Sequence, residues 1–398
     1  MAGKPLNILA ASAAILMSLA ACGGSPSPGP AGAATGTPIQ VGFTSDLSAQ
    51  FATNGQGLKK GLDAYVTHLN KNGGVNNHPI NVTFLDDAAQ TARGTANVTQ
   101  LATQQRVVAI TGMLVSNICA AAAPQGEQYQ VPFVCNNAAE DLTKPAKPYI
   151  FVSTMGAGDE AKPAVEVAKS LVKTSTPKFA AVTLASAAIA SYRTGVKALA
   201  AKQGWTLVGD EQVPLTASDV SAQATKIEAG KPDVIIAGLT DPLIAILMRK
   251  LAADGVNIPV VDYDGMTFTG LQQIASPNLY ALNTYAFATS SSKDKGVVDY
   301  VAVMKEAGVD PNAPFVNRGY TQGLIIASAL KSCKDACTGV LLQAQLDKLN
   351  IQTNGFTSGP IAFSSSNHTS FHAMNAYVWD LATSSAKVYK SDLAGGAS

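Results

Sequence analysis

Short apolar runs, each followed by a polar loop and then by an amphipathic stretch, recur from Pro38 onward, and this alternation restricts the fold more than any other feature of the chain. The first run, "PIQVGFT", is rich in strand formers. The stretch after it, "GQGLKKGLDAYVTHLNKNGG", puts Leu58, Leu62, Tyr65, Val66 and Leu69 on one helical face and stops at Gly73 and Gly74. The unit repeats: "INVTFLD" precedes a helix over 91–103, and "VVAITG" precedes one over 118–129. "VPFVC" and "YIFVS" follow, with Pro132 at a strand start, where its missing N–H is tolerated. A second series opens near Gly158 with the helix "AKPAVEVAKSLV". It continues through "FAAVTLA", "YRTGVKALAAKQG", "TLVGDEQV", a helix over 218–229, "DVIIAG", "PLIAILMRKLAADG" and "IPVVDYD". Near-continuous apolar strands alternating with helices imply parallel sheets covered on both faces. Two such series predict an α/β fold of two doubly wound parallel-sheet lobes, and the chain is longer than one hydrophobic core usually organises.

In open α/β sheets a ligand binds beyond the carboxyl ends of the strands. That rule selects the loops "SDLSAQFATN" (45–54), "MLVSN" (113–117), "NNAAEDLT" (136–143), "LTDP" (239–242) and "DYDGM" (262–266), which carry hydroxyls, amides and carboxylates that the adjoining strands lack. Any one of these residues taken alone could equally be a turn or a helix cap.

The chain before Pro38 has a different character. Lys4 and the apolar segment from Ile8 to Ala21 read as a secretory signal, too short to span a bilayer comfortably. The quartet Leu19-Ala20-Ala21-Cys22 resembles the lipobox of bacterial lipoproteins, in which the cysteine becomes the lipid-bearing first residue; the alternative is an ordinary signal peptide with Cys22 as a leftover thiol. Gly, Ser, Pro and Ala dominate from Gly23 to Pro38 and read as a flexible tether. Cys119, Cys135, Cys333 and Cys337 remain, an even number in an exported chain, which suggests two disulfides. Cys333 and Cys337 are close enough in sequence for a local bridge, leaving Cys119 with Cys135, although four cysteines permit three connectivities. Zinc is the rival reading, but the first pair has the wrong spacing and no histidine lies near either pair. Lys plus Arg number 28 against 27 Asp plus Glu, with no basic run, so nucleic acid is not an expected partner.

The loops, in their order, resemble the substrate-binding proteins of branched-chain amino acid ABC transporters, the type I periplasmic-binding-protein family. The resemblance runs from about Ile39 to Lys390 and rests on "GLDAYVTHLNKNGGVNNHPINVTFLDDAAQ", "VVAITGMLVSN", "VPFVCNNAAEDLT" and "GKPDVIIAGLTDPLIAILMRKLAADGVNIPVVDYDGM". It implies two lobes joined by three crossovers that close on a solute and dock on a permease. It implies further that Ser116 holds a ligand carboxylate through its hydroxyl and N–H, that Asn136 and Ala138 occupy positions meeting carboxylate and ammonium, and that Tyr192 closes over the ligand. Asp264 falls where a carboxylate grips the α-ammonium. Leu239 or Thr240 falls near an aromatic position, and Asn54, with Phe51 and Asn137 beside these positions, completes the expected ligand set. Ala138 lacks a hydroxyl, Asn136 adds an amide and two aromatic walls are missing. For Tyr192 two readings stay open, a pocket wall and a helix residue packed on its own lobe.

The expected organisation is a signal peptide over 1–21, a tether over 22–37, a first lobe over 38–156 and 287–360, a second over 157–286 and 361–390, and a disordered tail over 391–398. The expected function is an extracytoplasmic receptor, anchored to the membrane by lipid alone and monomeric, that takes an amino acid or related small polar solute to an ABC permease. The alternatives are a ligand sensor signalling to a membrane partner, or the same transport role for an amide, a urea-like compound, an aromatic acid or a sugar. No cofactor or metal is expected. His368 and His372 have metal-like spacing, but on a strand they would lie about 13 Å apart, so they read as exposed or capping. "DYDGM" lacks the later ligands of a calcium loop, and Asp86-Asp87 reads as solvated or capping. No G-x-S-x-G, Walker A or G-x-G-x-x-G follows a strand, so no enzyme is expected.

Overall fold

The computed structural model describes residues 1, 32–137, 139–289, 292–333 and 337–396. Apart from Met1 the signal-peptide segment, Cys22, most of the tether and Ala138 lie outside these residues. The end of the expected tether is bonded to the first lobe, Ala34 N–H donating to Asn70 O at 3.0 Å and Gly36 N–H to Asn77 O at 2.8 Å, so the tether does not extend to 37. The first βα series builds a five-stranded sheet from β1 (Ile39–Ser45), β2 (Ile80–Asp86), β3 (Ile110–Gly112), β4 (Phe133–Cys135) and β5 (Ile150–Val152), in the order β2-β1-β3-β4-β5 with every pairing parallel. α1 (Ala52–Lys71), α2 (Thr91–Thr103) and α3 (Ser116–Tyr129) connect its strands. Phe43, at the centre of β1, is wholly buried, as near-continuous apolar strands covered on both faces require.

The chain then passes to a second sheet. α4 (Ala157–Leu171) leads into β6 (Lys178–Leu184), α5 (Ala187–Lys202), β7 (Thr206–Val213), α6 (Ser221–Ala229), β8 (Val234–Gly238), α7 (Asp241–Ala253), β9 (Val260–Asp262), α8 (Phe268–Ile274) and β10 (Leu279–Asn283). It returns to the first lobe for α9 (Lys295–Glu306), α10 (Val316–Ser332), α11 (Gly339–Leu346) and the short pair β11 (Asn350–Ile351) and β12 (Ile361–Ala362). It crosses a third time to β13 (Ala373–Asp380) and β14 (Ser385–Ala394). The second sheet has the order β14-β13-β10-β9-β8-β6-β7.

Three details differ from the expectation. The second sheet is mixed, because β13 runs antiparallel to both β10 and β14, and the β13–β14 hairpin needs only a short turn where a parallel pair would need a crossover. β14 continues through Ala394, so 391–394 is strand paired to β13 rather than the start of a disordered tail. Residues 368–370 lie along the free edge of β5, with Val152 N–H donating to His368 O at 2.8 Å and Ser370 N–H to Val152 O at 3.0 Å, so the passage to the second lobe falls after them and not at 361.

The return through α10 positions a functional side chain. α10 lies backbone to backbone on α1: a Cβ on Gly61 would stand 1.9 Å from Val316 O, and one on Gly319 would stand 2.0 Å from Leu58 O. Only glycine permits that approach. The first turn of α10 is thereby pinned to the first lobe while facing the second. Behind it, buried Gln322 donates to Val134 O at 3.0 Å and to Ser153 Oγ at 3.2 Å and accepts from Gly112 N–H at 3.3 Å, tying α10 to the ends of β3, β4 and β5.

Candidate functional site

The loops at the carboxyl ends of both sheets carry the polar residues, and each is fixed locally. After β1, Asp46 accepts from the N–H groups of Ser48, Ala49 and Phe51 at 3.1, 2.6 and 2.7 Å, a wrap that delivers the chain into α1 with Phe51 at its N-cap. Phe51 and Asn54 are half-buried, and the Asn54 amide bonds to no described residue. After β3 the backbone turns through Gly112 at φ +93° and Met113 at φ +41° to start α3 at Ser116. No side chain caps this helix, and the half-buried Ser116 hydroxyl bonds to no described residue, so a helix N-terminus with a free hydroxyl opens there.

Cys119, in the first turn of α3, forms a disulfide with Cys135, the last residue of β4, at a Cα separation of 6.5 Å. It clamps the Ser116 turn to the asparagines that follow. Asn136 is buried, its N–H donating to Gly112 O at 2.9 Å and its amide to Ser153 Oγ at 3.4 Å. Asn137 accepts a bond from the Thr154 hydroxyl at its carbonyl, while its own Nδ2, also buried, has no partner among the described residues. The second expected disulfide, Cys333–Cys337, is present as well, beyond the end of α10.

In the second lobe Leu239 is buried and donates its N–H to Asp262 Oδ1 at 3.3 Å, whereas Thr240 is exposed at the start of α7. Tyr192 on α5 is completely buried. Its hydroxyl donates to Ala237 O at 3.1 Å and its ring lies 6.0 Å from that of Tyr263. The hydroxyl is thus bonded within its own lobe.

Asp264 is one point of contact between the two lobes. Its Oδ2 accepts from Thr284 Oγ1 at 3.0 Å and lies 3.4 Å from Arg318 Nη2, and its N–H donates to Glu160 Oε2 at 3.3 Å. Its Oδ1 is buried without a partner among the described residues. Arg318 comes from the pinned first turn of α10, and its guanidinium sits over the rings of Phe315 at 4.9 Å and Tyr285 at 5.8 Å. Burial, then the neighbouring Asp264 charge, push the Glu160 carboxyl well above the ordinary glutamate range. Burial does the same to Asp262, with Asp241 adding to it. Tyr192 and Tyr263 are raised by burial and by the adjacent carboxylates, so both stay neutral phenols.

Sequence reasoning selected Asp264 but missed Glu160 and Arg318. A signal for Arg318 was available. A cation in the first turn of a helix opposes the helix dipole, so it calls for a partner from elsewhere in the fold. His368, expected exposed or capping, is 2 % exposed: it stacks on Phe151 at 4.1 Å between ring centroids and contacts Asp347 Oδ1 at 3.0 Å and Ile150 O at 2.9 Å. Among the described residues no group of three His, Cys, Asp or Glu could hold a metal ion. Asp86 accepts from Leu47 and Ala88 N–H, whereas Asp87, expected solvated or capping, is 1 % exposed and accepts from Thr44 Oγ1 and Ala89 N–H.

Two α/β lobes linked by three chain crossings, with Asp264 from a strand-end loop of one paired to Arg318 on a helix of the other, make a two-lobed architecture with polar loops at the strand ends. The chain belongs to the periplasmic binding protein family, whose pattern matches residues 38–387. Leu/Ile/Val-binding protein homolog 3 of Brucella melitensis is 22 % identical over 347 residues, covering 86 % of this chain and 91 % of that protein. Among solved structures, LivJ of Streptococcus pneumoniae, a branched-chain amino acid transporter substrate-binding protein in complex with isoleucine, superposes with a TM-score of 0.72 at 20 % identity, over 90 % of this chain and 100 % of the other. A solute-binding protein of an ABC transporter from Rhodopseudomonas palustris, in complex with p-hydroxybenzoic acid, gives 0.76 at 18 % identity, over 90 % and 97 %. These similarities establish the type I periplasmic-binding-protein fold. Among the described residues no helix is long and apolar enough to cross a membrane.

Proposed function

We propose that this chain is the extracytoplasmic receptor of an ABC importer, held at the membrane through lipid on Cys22, and that it captures an amino acid or a close relative and hands it to the permease as a monomer. The observation that carries the ligand class is the buried, unpartnered Asp264 Oδ1 in a cleft whose other lobe offers the uncapped start of α3 at Ser116. A zwitterion satisfies both ends: its carboxylate takes the helix N-terminus and the Ser116 hydroxyl, and its ammonium takes Asp264. The unpartnered Asn137 Nδ2 adds a donor for a further carboxylate or carbonyl oxygen. Family membership and the curated relative's name support the same class.

An amine-free carboxylate is the second reading, favoured by Arg318, which already compensates the charge on Asp264. A thermal-shift screen of the twenty amino acids, hydroxybenzoates, amides and sugars, followed by calorimetry, tests both. A ligand at a hundred times its Kd adds about 2.7 kcal/mol to native stability. Stabilisation by amino acids alone supports the first reading; stabilisation by aromatic acids without any response to amino acids overturns it.

A further inference from the structure

We propose that an ammonium binding at Asp264 Oδ1 expels a proton from the carboxyl group of Glu160, and that Arg318 is the residue that couples the two events. The inference rests on the amino-acid reading above. Its basis is a count of charges in one buried cluster. Asp264 and Glu160 are joined through the Asp264 N–H at 3.3 Å, and Arg318 lies 3.4 Å from Asp264, with side chains 2 % exposed for Asp264 and 12 % for Arg318. Two carboxyl groups therefore share one guanidinium where water does not reach.

The groups around Glu160 do not supply a second cation. Asp159 stands beside it on α4, Asp264 and Tyr263 face it from the loop after β9, Tyr192 faces it from α5, and Arg318 faces it from α10. Lys144 is taken up by Glu140 at 3.3 Å and Asp159 at 3.1 Å. With both carboxyls ionised, the empty cluster would carry an uncompensated negative charge in a dry site, so it keeps one proton, on Glu160. It is then neutral, and an ammonium at Oδ1 would add an unmatched positive charge to a carboxylate whose Oδ2 already faces Arg318 at 3.4 Å.

Loss of the Glu160 proton removes that mismatch. The O–H bond of the carboxylic acid breaks, the electron pair stays on the carboxylate, and the proton passes to the buffer. Two anions, Asp264 and Glu160, then face two cations, Arg318 and the ligand ammonium. An amine-free carboxylate brings no cation to the cluster and releases no proton. Arg318 and Glu160 therefore act as specificity residues: they make amino-acid capture tighten as pH rises, by up to about tenfold per pH unit while Glu160 holds its proton in the free protein.

The test has one arm without ligand and one with. The infrared difference spectrum of ligand-free wild type minus Glu160→Gln near neutral pH should contain a protonated-carboxyl band, the Asp262 band cancelling between the two; a difference spectrum without that band would overturn the proposal. The variant preserves an acceptor for the Asp264 N–H. Calorimetric titration with L-isoleucine and the other amino acids in phosphate and in Tris should show about one proton released per ligand bound by the wild type and none by Glu160→Gln. Binding of an amino acid with buffer-independent heat refutes the coupling while leaving the amino-acid reading intact. Failure of every amino acid to bind refutes that reading and the coupling with it.

Discussion

Arg318, on a helix pinned to the first lobe, and Asp264, in a loop of the second, form a buried ion pair of 3.4 Å across the cleft. Removing one partner of such a pair strands the other, which typically costs 3–5 kcal/mol, whereas removing both costs much less. Arg318→Met and Asp264→Asn should each lower the urea-unfolding stability of the ligand-free protein by about 3 kcal/mol, and the double variant should lose clearly less than their sum. Simple additivity would mean that the pair does not form in solution. The family resemblance, taken alone, places Asp264 against the ligand only, and Asp264→Asn should then leave the ligand-free protein untouched. The presence of Arg318 reverses that expectation.

Two buried carboxyls set the pH response of the ligand-free protein. Glu160 and Asp262 both have folded-state pKa values above their unfolded ones, through burial first and neighbouring carboxylates second. The folded state holds protons that the unfolded chain has lost, so this stability is complete below the unfolded carboxylate range and declines as pH rises toward the folded values. The slope is about 1.4 kcal/mol per pH unit for each such proton. Chemical denaturation at pH 5, 6, 7 and 8 should show falling stability, with a shallower fall in Glu160→Gln. Carboxylates lowered by hydrogen bonds, such as Asp86, act in the opposite sense but at lower pH. Stability that rises steadily from pH 5 to 8 would contradict the assignment.

Periodicity made the two βα series legible because each strand and helix is written in contiguous residues, and the strand-end rule then selected the loops that carry Ser116, Asn136, Asn137 and Asp264. The cysteine count suggested both bridges for a similarly simple reason. Arg318 and Glu160 escaped because their meaning lies in contacts 54 and 104 residues away in sequence. Glu160 in the first turn of α4 looks like an ordinary acid at a helix start, and only the fold brings it against Asp264. His368 was misjudged for the same reason: a polar, turn-like stretch gives no hint that its ring will stack on Phe151.

The disulfide between Cys119 and Cys135 should matter more to the site than its size suggests. Its 16-residue separation implies about 3 kcal/mol of stabilisation on the chain-entropy account. Because it joins the Ser116 turn to the Asn136 loop, Cys119→Ala/Cys135→Ala should weaken ligand binding as well as lower Tm, whereas Cys333→Ala/Cys337→Ala, remote from the cleft loops, should leave affinity unchanged. Calorimetry on the two variants distinguishes them. Equal losses of affinity would show that the effect is a general one on folding.

Lipid attachment predicts a clean separation of location from binding. Cys22→Ser should leave the precursor unprocessed or release the protein from the membrane, with ligand affinity intact. Fractionation and intact mass decide it. A wild-type mature protein that carries no lipid and begins at another residue would remove the anchor from the proposal.

Tyr192 offers the sharpest choice between packing and pocket. Its hydroxyl is bonded to Ala237 O at 3.1 Å, and the residue is completely buried. Deleting one neutral hydrogen bond costs about 1 kcal/mol, with the stranded carbonyl adding to it. Tyr192→Phe keeps the ring against Tyr263 and should therefore lower ligand-free stability by that amount while changing ligand affinity less than about threefold, since the hydroxyl has no free hydrogen to give a carboxylate. Were the hydroxyl instead to swing from Ala237 O to a bound carboxylate as the lobes close, the charge-assisted bond lost would be worth about 1.5–3 kcal/mol, and affinity would fall well beyond threefold on top of the same loss of ligand-free stability. Urea unfolding and calorimetry on the same preparation separate the outcomes, and the second result would place Tyr192 among the ligand contacts.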